Sequence, residues 1–360
     1  MTIHEATKQY EAWLGGHTLL VKADLALKHR EMAGGLFPFL RATFYRWMQL
    51  WPAVCSDLAK VPSVLAVGDL HVENFGTWRD SEGRLIWGIN DFDEAYRMPY
   101  TVDLVRLGVS ARLAIKGDHL AIMAGDACDA IFEGYRAGLK SGGRPFVLSE
   151  EHVWLRKIAA GKERDPVLFW KKMKALRPVK GPVPVSAVKA IEHLMPEPAL
   201  SCRLVRRVSG LGSLGRQRFV ALADWRGGQV AREAKALVPS AYLWANNGKS
   251  SDTILYQTAL DQAVRCRDPF VHFQDGWIVR RLSPYCSRIE LTSLPRQRDE
   301  YRLLHAMGWE TANVHLGSKP AVKAVLRDLD TRSSAWLRSA TKAMAKASIK
   351  DWKEWTRGQA

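Results

Sequence analysis

The stretch from Ser63 to Ala95 constrains this chain more than any other. Ser63-Val64-Leu65-Ala66-Val67-Gly68-Asp69-Leu70 is a short apolar run broken by Gly-Asp, which predicts a buried strand entering a loop. The following Thr77–Asp91 segment, TWRDSEGRLIWGIND, predicts two strands joined by a turn at Asp80-Ser81-Glu82-Gly83. Two acidic loops therefore lie at strand ends. The first is Gly68-Asp69-Leu70-His71-Val72-Glu73-Asn74-Phe75-Gly76, and the second is Ile89-Asn90-Asp91-Phe92-Asp93-Glu94-Ala95. Together they offer a carboxylate, an amide five residues on, and a second carboxylate cluster after a hairpin.

The flanking sequence alternates in character. Residues 1 to about 60 read as helical, with Leu40, Phe44, Trp47 and Trp51 at a spacing of three and four. Helical pattern returns from Thr101 to about Ala175. Pro178, Pro182 and Pro184 then mark residues 176–188 as a linker. Beyond it RLVRRV, RQRFVALADW and GGQVAREAKAL read as strands separated by Gly-rich breaks, and HFQDGWIVRRL reads as a hairpin about Asp275-Gly276. The last sixty residues are helical, with Leu337, Ala340, Met344, Ala347 and Trp355 on an apolar face and Lys342, Lys346, Lys350 and Lys353 elsewhere around the helix. These elements define an α+β protein.

The acidic loops offer the residue set that phosphoryl transfer needs. One Asp orients or deprotonates an acceptor, while an Asn and a second Asp hold the magnesium that bridges nucleotide phosphates. On these residues the chain resembles a known superfamily. Asp69 and Asn74 match the catalytic-loop spacing of protein kinases, and Asp91-Phe92 matches the start of the kinase Asp-Phe-Gly motif. The Gly-Asp-Leu-His and Asp-Phe-Asp-Glu-Ala forms look closer to aminoglycoside and choline phosphotransferases. The combination GDLHVENFG with NDFDEA, with Phe39-Leu40-Arg41 upstream, resembles a bacterial family known as domain of unknown function 2252. The resemblance implies Asp69 and His71 as catalytic-loop residues, with His71 bracing the loop. It implies Asn74 and Asp91 as magnesium ligands, with Asp93 either in the metal shell or ending the strand. Asp103 falls where the phosphotransferases carry an Asp that braces the catalytic loop. A metallophosphoesterase also uses Gly-Asp and His loops, but the chain lacks a Gly-Asn-His segment.

Gly210-Leu211-Gly212-Ser213-Leu214-Gly215 lies between strand-like segments, the context of a kinase phosphate cover rather than a P-loop. Its expected phosphate-binding residues are Gly210, Gly212, Ser213 and Gly215. On the next strand Arg232 and Lys235 compete to clamp the phosphates; three residues apart, they point to opposite faces, and Lys235 is favoured. The Glu that would partner such a Lys is missing from the following helix, since the next Glu is Glu290; Asp261 and Gln257 are the candidate substitutes. The Gly-rich segment follows the catalytic loop instead of preceding it. The implied fold is a kinase-like bilobal one, circularly permuted: residues 1–185 a helical catalytic lobe, 186–290 a β-rich Gly-loop lobe, and 291–360 helices completing the first. TANVHLGS, with His315, then supplies the helix that leads into the catalytic loop.

Composition bounds the partners. The 360 residues hold 53 Lys and Arg against 37 Asp and Glu, a net charge of +16. That surplus predicts an anionic partner: a nucleotide, an acidic small-molecule or protein acceptor, nucleic acid or an acidic membrane surface. The basic run Lys162, Arg164, Lys171, Lys172, Lys174, Arg177 and Lys180 is the basis for a nucleic-acid alternative, and a pseudokinase or a nucleotidyl transferase would use the same site. The implied cofactors are ATP and magnesium. No apolar run approaches the ~20 residues of a membrane span, and the start lacks the layout of a signal peptide, so a cytoplasmic protein is expected. Five scattered cysteines without a Cys-x-x-Cys pair are expected to be reduced and mostly buried, and most of the 14 tryptophans to be core.

Overall fold

Thr2 begins the fold with a capping box: its hydroxyl accepts from the Glu5 amide at 3.1 Å, and the Glu5 carboxylate accepts from the Thr2 amide at 2.8 Å. The helix it starts, α1 (Ile3–Gly15), is followed by α2 (Lys22–Gly34), α3 (Leu36–Ala42) and α4 (Phe44–Val54). This is a computed structural model, and it describes residues 1–148, 151–159, 165–246, 253–286, 299–333 and 335–358. The strand expected before the first acidic loop is β1 (Ser63–Ala66), and the expected hairpin is β2 (Phe75–Arg79) with β3 (Leu85–Ile89). Asp80 makes that turn by accepting from the Glu82 and Arg84 amides at 3.1 and 2.9 Å. β4 (Tyr96–Pro99) pairs antiparallel with β1, and β5 (Phe146–Val147) extends the β2–β3 hairpin.

The helical remainder of the first half is α5 (Thr101–Lys116), α6 (Ala124–Ser141), α7 (Val153–Ala159) and α8 (Pro166–Lys174). The proline-rich linker ends at Pro184, which precedes α9 (Val185–His193). Next come β6 (Arg203–Arg206), β7 (Arg218–Trp225) and β8 (Gly228–Ala236), then α10 (Ala241–Ala245), α11 (Tyr256–Gln262), β9 (Val271–Gln274) and β10 (Trp277–Arg281). These strands form a five-stranded antiparallel sheet in the order β6-β7-β8-β10-β9. The chain closes with α12 (Glu300–His315), α13 (Lys319–Thr331) and α14 (Trp336–Arg357).

Period-two alternation sorts the sheet into two faces. Phe219, Ala221, Ala234, Ala236 and Val279 pack with Ala187 and Ile191 of α9. The opposite face carries Val220 and Ala231 against Met173 of α8, and continues into charged residues. The larger core runs from the first helices through α5 and α6 to α12 and α14. Residues far apart in the chain meet closely there. A Cβ on Gly134 of α6 would overlap the His305 carbonyl, and one on Gly308 of α12 the Ile131 carbonyl, so the two helices touch through their glycines. Leu337, Ala340, Met344 and Trp355 of α14 are buried as expected, with Lys342, Lys346, Lys350 and Lys353 exposed.

All five cysteines are free, but only Cys55 and Cys128 are buried; Cys202 is exposed and Cys266 and Cys286 are half-buried, which corrects the expectation of mostly buried thiols. Among the described residues, no helix is long and apolar enough to cross a membrane. Glu290, Lys162 and Arg164 lie outside the described residues.

Candidate active site

The first acidic loop is shaped by a buried carboxylate. Asp103, in the first turn of α5 and inaccessible to solvent, accepts from the Val67 and Gly68 amides at 2.7 and 2.8 Å. His315, at the end of α12, contacts the same carboxylate through Nε2 at 2.9 Å and the Tyr135 hydroxyl through Nδ1 at 2.8 Å. Asp103 thus braces the loop, as the motif implied, and the TANVHLGS helix reaches it. Gly68 takes a φ of +89°, and a Cβ there would stand 2.5 Å from the Glu94 carbonyl oxygen. Asn74 closes the loop on itself: its Oδ1 accepts from the His71 amide at 2.8 Å, while His71 Nδ1 accepts from the Glu73 amide at 3.2 Å. His71 thus braces the loop through Nδ1 and also lines the cavity.

The loop aims Asp69 into a cavity of about 350 Å³. Its Oδ1 accepts from Nε of the fully buried Arg106 at 2.7 Å and again from Nη2. Arg106 is fixed in turn by the Leu40 carbonyl at 2.8 Å and by the faces of Phe44 and Trp47 at 5.0 and 4.9 Å. Burial raises the Asp69 carboxyl above the ordinary aspartate value, against the pull of Arg106 and Arg41.

The second acidic loop meets Lys235 from β8. Lys235 Nζ lies 2.5 Å from Asp93 Oδ1 and 3.5 Å from Asp91 Oδ1. Asp93 also faces Arg216 at 3.5 Å, and burial together with the neighbouring Asp91 charge raises its carboxyl. Asp91 goes the other way. Burial opposes its charge, but Lys235, a hydrogen bond from Asp93, and Arg280 and Arg218 hold it well below the usual carboxylate range. Asp91 is thus the ionised, partly open member, and Asp93 is a bracket engaged by cations. Glu94, which sequence reasoning passed over, is pushed up to about 7 by burial. It meets Arg216 at 3.3 Å and accepts from the Ala241 amide at 2.7 Å.

The Gly-rich segment joins β6 to β7 as expected, folded as a short 3-10 turn over Leu211–Ser213. The turn closes over Asp69: a Cβ on Gly212 would stand 3.4 Å from Asp69 Oδ2 and 3.1 Å from the Arg41 carbonyl. Gly210, Gly212 and Ser213 line the cavity. Gly215 does not; with φ +99° it packs against Leu25, and its carbonyl accepts from the Val21 amide at 2.8 Å. Arg232 also falls outside. The strand period turns it to the α9 face, where Nε donates to the Leu194 carbonyl at 2.7 Å and the guanidinium covers Phe270 at 4.8 Å. Gln257 and Asp261 bond each other at 3.0 Å and line a different cavity, so neither partners Lys235; Asp93 does.

Beside Lys235 the sheet presents an arginine cluster. Glu233, fully buried, accepts from Arg207, Arg218 and Arg280 at 2.6, 2.9 and 3.0 Å, and these three cations keep its carboxyl well below the ordinary value despite burial. Lys28 of α2 is buried with Nζ 3.4 Å from the Gly212 carbonyl, and burial lowers its ammonium to about 8. Among the described residues, eight basic side chains line the cavity against five acidic ones. Two signals pointed to missed residues: Glu233 and Arg218 are charges inside otherwise buried strands, and Arg106 is a charge inside the apolar run VDLVRLGVSARLA.

Residues 20–165 match the model of a family described as an uncharacterized protein conserved in bacteria, DUF2252. The match spans both acidic loops, Phe39-Leu40-Arg41 and Asp103, in agreement with the resemblance carried by those motifs. No curated protein and no solved structure matches the chain.

Proposed function

We propose that this cleft is an ATP- and magnesium-dependent phosphotransfer site of the kinase type, acting on an anionic acceptor. The observation that supports it is the convergence of Asp69, Asn74, Asp91, Lys235 and the Gly210–Ser213 turn on one cavity, although they come from opposite halves of the chain. The turn joins the first two strands of the five-stranded sheet and Lys235 lies on the third, the relation that a kinase Gly-rich loop has to its lysine. On this reading the fold is a bilobal kinase-like one in permuted order. The free cysteines suit a cytoplasmic protein.

Asp69 is held at one oxygen by Arg106, which leaves Oδ2 toward Gly212 to orient and accept a proton from an acceptor hydroxyl. A carboxyl raised by burial is the better base for that task. Lys235 and the Arg207–Arg218–Arg280 cluster bind phosphate oxygens, and the Gly-rich turn excludes water above them. The donor set fits a magnesium ion: Asp91 is ionised and partly open, and Asn74 Oδ1 keeps a second lone pair beyond the one used by His71. Magnesium usually takes one or two protein oxygens plus phosphates, so the pair suffices. When bound, it would neutralise charge on the transferred phosphoryl group.

Calorimetric titration with ATP, with and without magnesium, tests the reading on wild type and Asp91→Ala. Magnesium-dependent binding in wild type, lost in the variant, is the expected outcome. Equal binding by both proteins, or none by wild type at millimolar ATP, refutes it.

A further inference from the structure

Behind the cleft lies a second cavity of about 540 Å³, enclosed by the β2–β3 hairpin, α11, the 264–269 segment and β9–β10. Among the described residues it shares only Asn90, Arg280 and Cys286 with the first cavity, and it contains neither Asp69, Asp91 nor Lys235. Five arginines line it against three aspartates among the described residues. Three of those arginines are occupied: Arg84 bonds Asp80 at 2.7 Å, Arg267 faces Asp261 at 3.3 Å, and Arg280 holds Glu233 at 3.0 Å. The other two are not satisfied. Arg265 is clamped between Trp78 and Phe92 at 4.5 and 5.2 Å and donates from Nη1 to the Ile89 carbonyl at 3.0 Å. Among the described residues its Nε is buried without a hydrogen-bond partner. Arg281 likewise has a buried, unpartnered Nε, lies on the Phe270 face at 4.1 Å, and approaches Asp268 only at 3.9 Å.

A guanidinium taken out of water needs hydrogen bonds and a counter-charge, and here neither Arg265 nor Arg281 has both. Glu310, the acidic group that acts most strongly on Arg265, is itself raised to about 7 by burial and spends its oxygens on the Ile89 amide and Asn313. A planar guanidinium is suited to bind a carboxylate or phosphate through parallel hydrogen bonds, and in both arginines it is Nη groups, not the closed-off Nε, that are left for a ligand in the cavity. The volume is that of a small-molecule site. We propose that this cavity is a binding site for a small organic oxyanion, a carboxylate- or phosphate-bearing metabolite, held by Arg265 and Arg281 and separate from the nucleotide cleft. The inference does not depend on whether the cleft transfers phosphate.

The test is calorimetric titration of the full chain with citrate and, separately, inorganic phosphate, each repeated with saturating ATP and magnesium. The two probes distinguish a carboxylate site from a phosphate site. Wild type is expected to bind one of them, Arg265→Met to bind it at least tenfold more weakly, and ATP to leave it in place. Should Arg265→Met fail to fold, Arg281→Gln carries the same expectation, because Arg281 ends β10 and is partly exposed. The proposal is overturned if wild type binds neither anion, if a folded variant binds as wild type does, or if ATP displaces the anion competitively, which would place it in the front cavity.

Discussion

Replacing Arg106 with Met tests the electrostatics of the first loop most directly. Arg106 is fully buried, its nitrogens serve Asp69 and the Leu40 carbonyl, and its stem lies on Phe44 and Trp47. Methionine keeps the apolar packing and removes the charge. Asp69 then has to stay ionised without its main partner or take up a proton. The cheaper route sets the loss. Holding a carboxyl protonated at pH 7, when it titrates near 3.9 in the unfolded chain, costs about 4 kcal/mol, which is a ceiling on the loss because burial already raises Asp69 in the wild type. Removing one partner of a buried pair costs about 3–5 kcal/mol, so the two estimates agree. The sign with pH follows. The variant's folded state prefers the protonated carboxyl, so its deficit is small at low pH and grows as pH rises above the unfolded value. At pH 5 the same arithmetic leaves about 1.5 kcal/mol. Urea unfolding of wild type and variant at pH 5, 6 and 7 measures the difference. A deficit that does not change with pH would show that Asp69 is not the group left uncompensated. The double variant Asp69→Asn with Arg106→Met should recover most of the pH 7 loss.

Three further outcomes are expected. Lys235→Met leaves Asp91 and Asp93 facing each other without their shared cation, and should lower stability by about 3–5 kcal/mol and weaken ATP binding at least tenfold; unchanged ATP affinity in calorimetry would remove Lys235 from the site. Gly215→Ala meets both a φ of +99° and Leu25, and should lower stability by about 1–3 kcal/mol in chemical denaturation, whereas Gly83→Ala, with φ +73° but open space, should lose less. Glu94 titrates near 7 in the fold, above its unfolded value of about 4.3, so its contribution is present at low pH and is lost as pH rises between those two values. Glu94→Gln should flatten the stability–pH curve there by about 3 kcal/mol; a curve that stays parallel to wild type excludes Glu94 as the titrating group.

The strand ends, the β2–β3 turn and the Asp275-Gly276 hairpin were legible because each rests on local chemistry: an apolar run ended by Gly-Asp and turn residues at fixed offsets; the bracing role of Asp103, some 35 residues from the loop, came only from the family resemblance. The choice between Arg232 and Lys235 was legible in part, since strand period separates them but does not say which face is the cleft; Asp93 and the arginine cluster decide it. Gly215 was misplaced because a glycine pattern does not distinguish a phosphate-facing glycine from one required by a left-handed φ and a tight neighbour. The Lys235 partner was sought on the following helix because that is where such partners usually lie. It stands instead on the second acidic loop, two residues beyond Asp91, and only the tertiary fold brings it there.

Net charge alone pointed to an anionic partner without a location; the fold shows where buried positive charge collects. Helix faces such as α14 expose lysines to water, where each charge is cheaply solvated and implies little. The cleft concentrates cations under different conditions: Arg216, Arg218 and Lys235 are buried, and Arg207 and Arg280 converge on the single carboxylate of Glu233. Three guanidinium groups around one carboxylate leave positive charge over, in a place where desolvation makes that excess expensive. The excess lies on the sheet face below the Gly-rich turn, opposite the ionised Asp91. The turn itself is no loose flap: Val21 and Lys28 of the N-terminal region hold its Gly215 and Gly212 carbonyls, and Leu211 packs with Met32, Phe39 and Trp355. On the proposed reading, this fixed cover, cationic wall and acidic floor suit a nucleoside triphosphate better than a nucleic-acid backbone, which needs an open cationic surface.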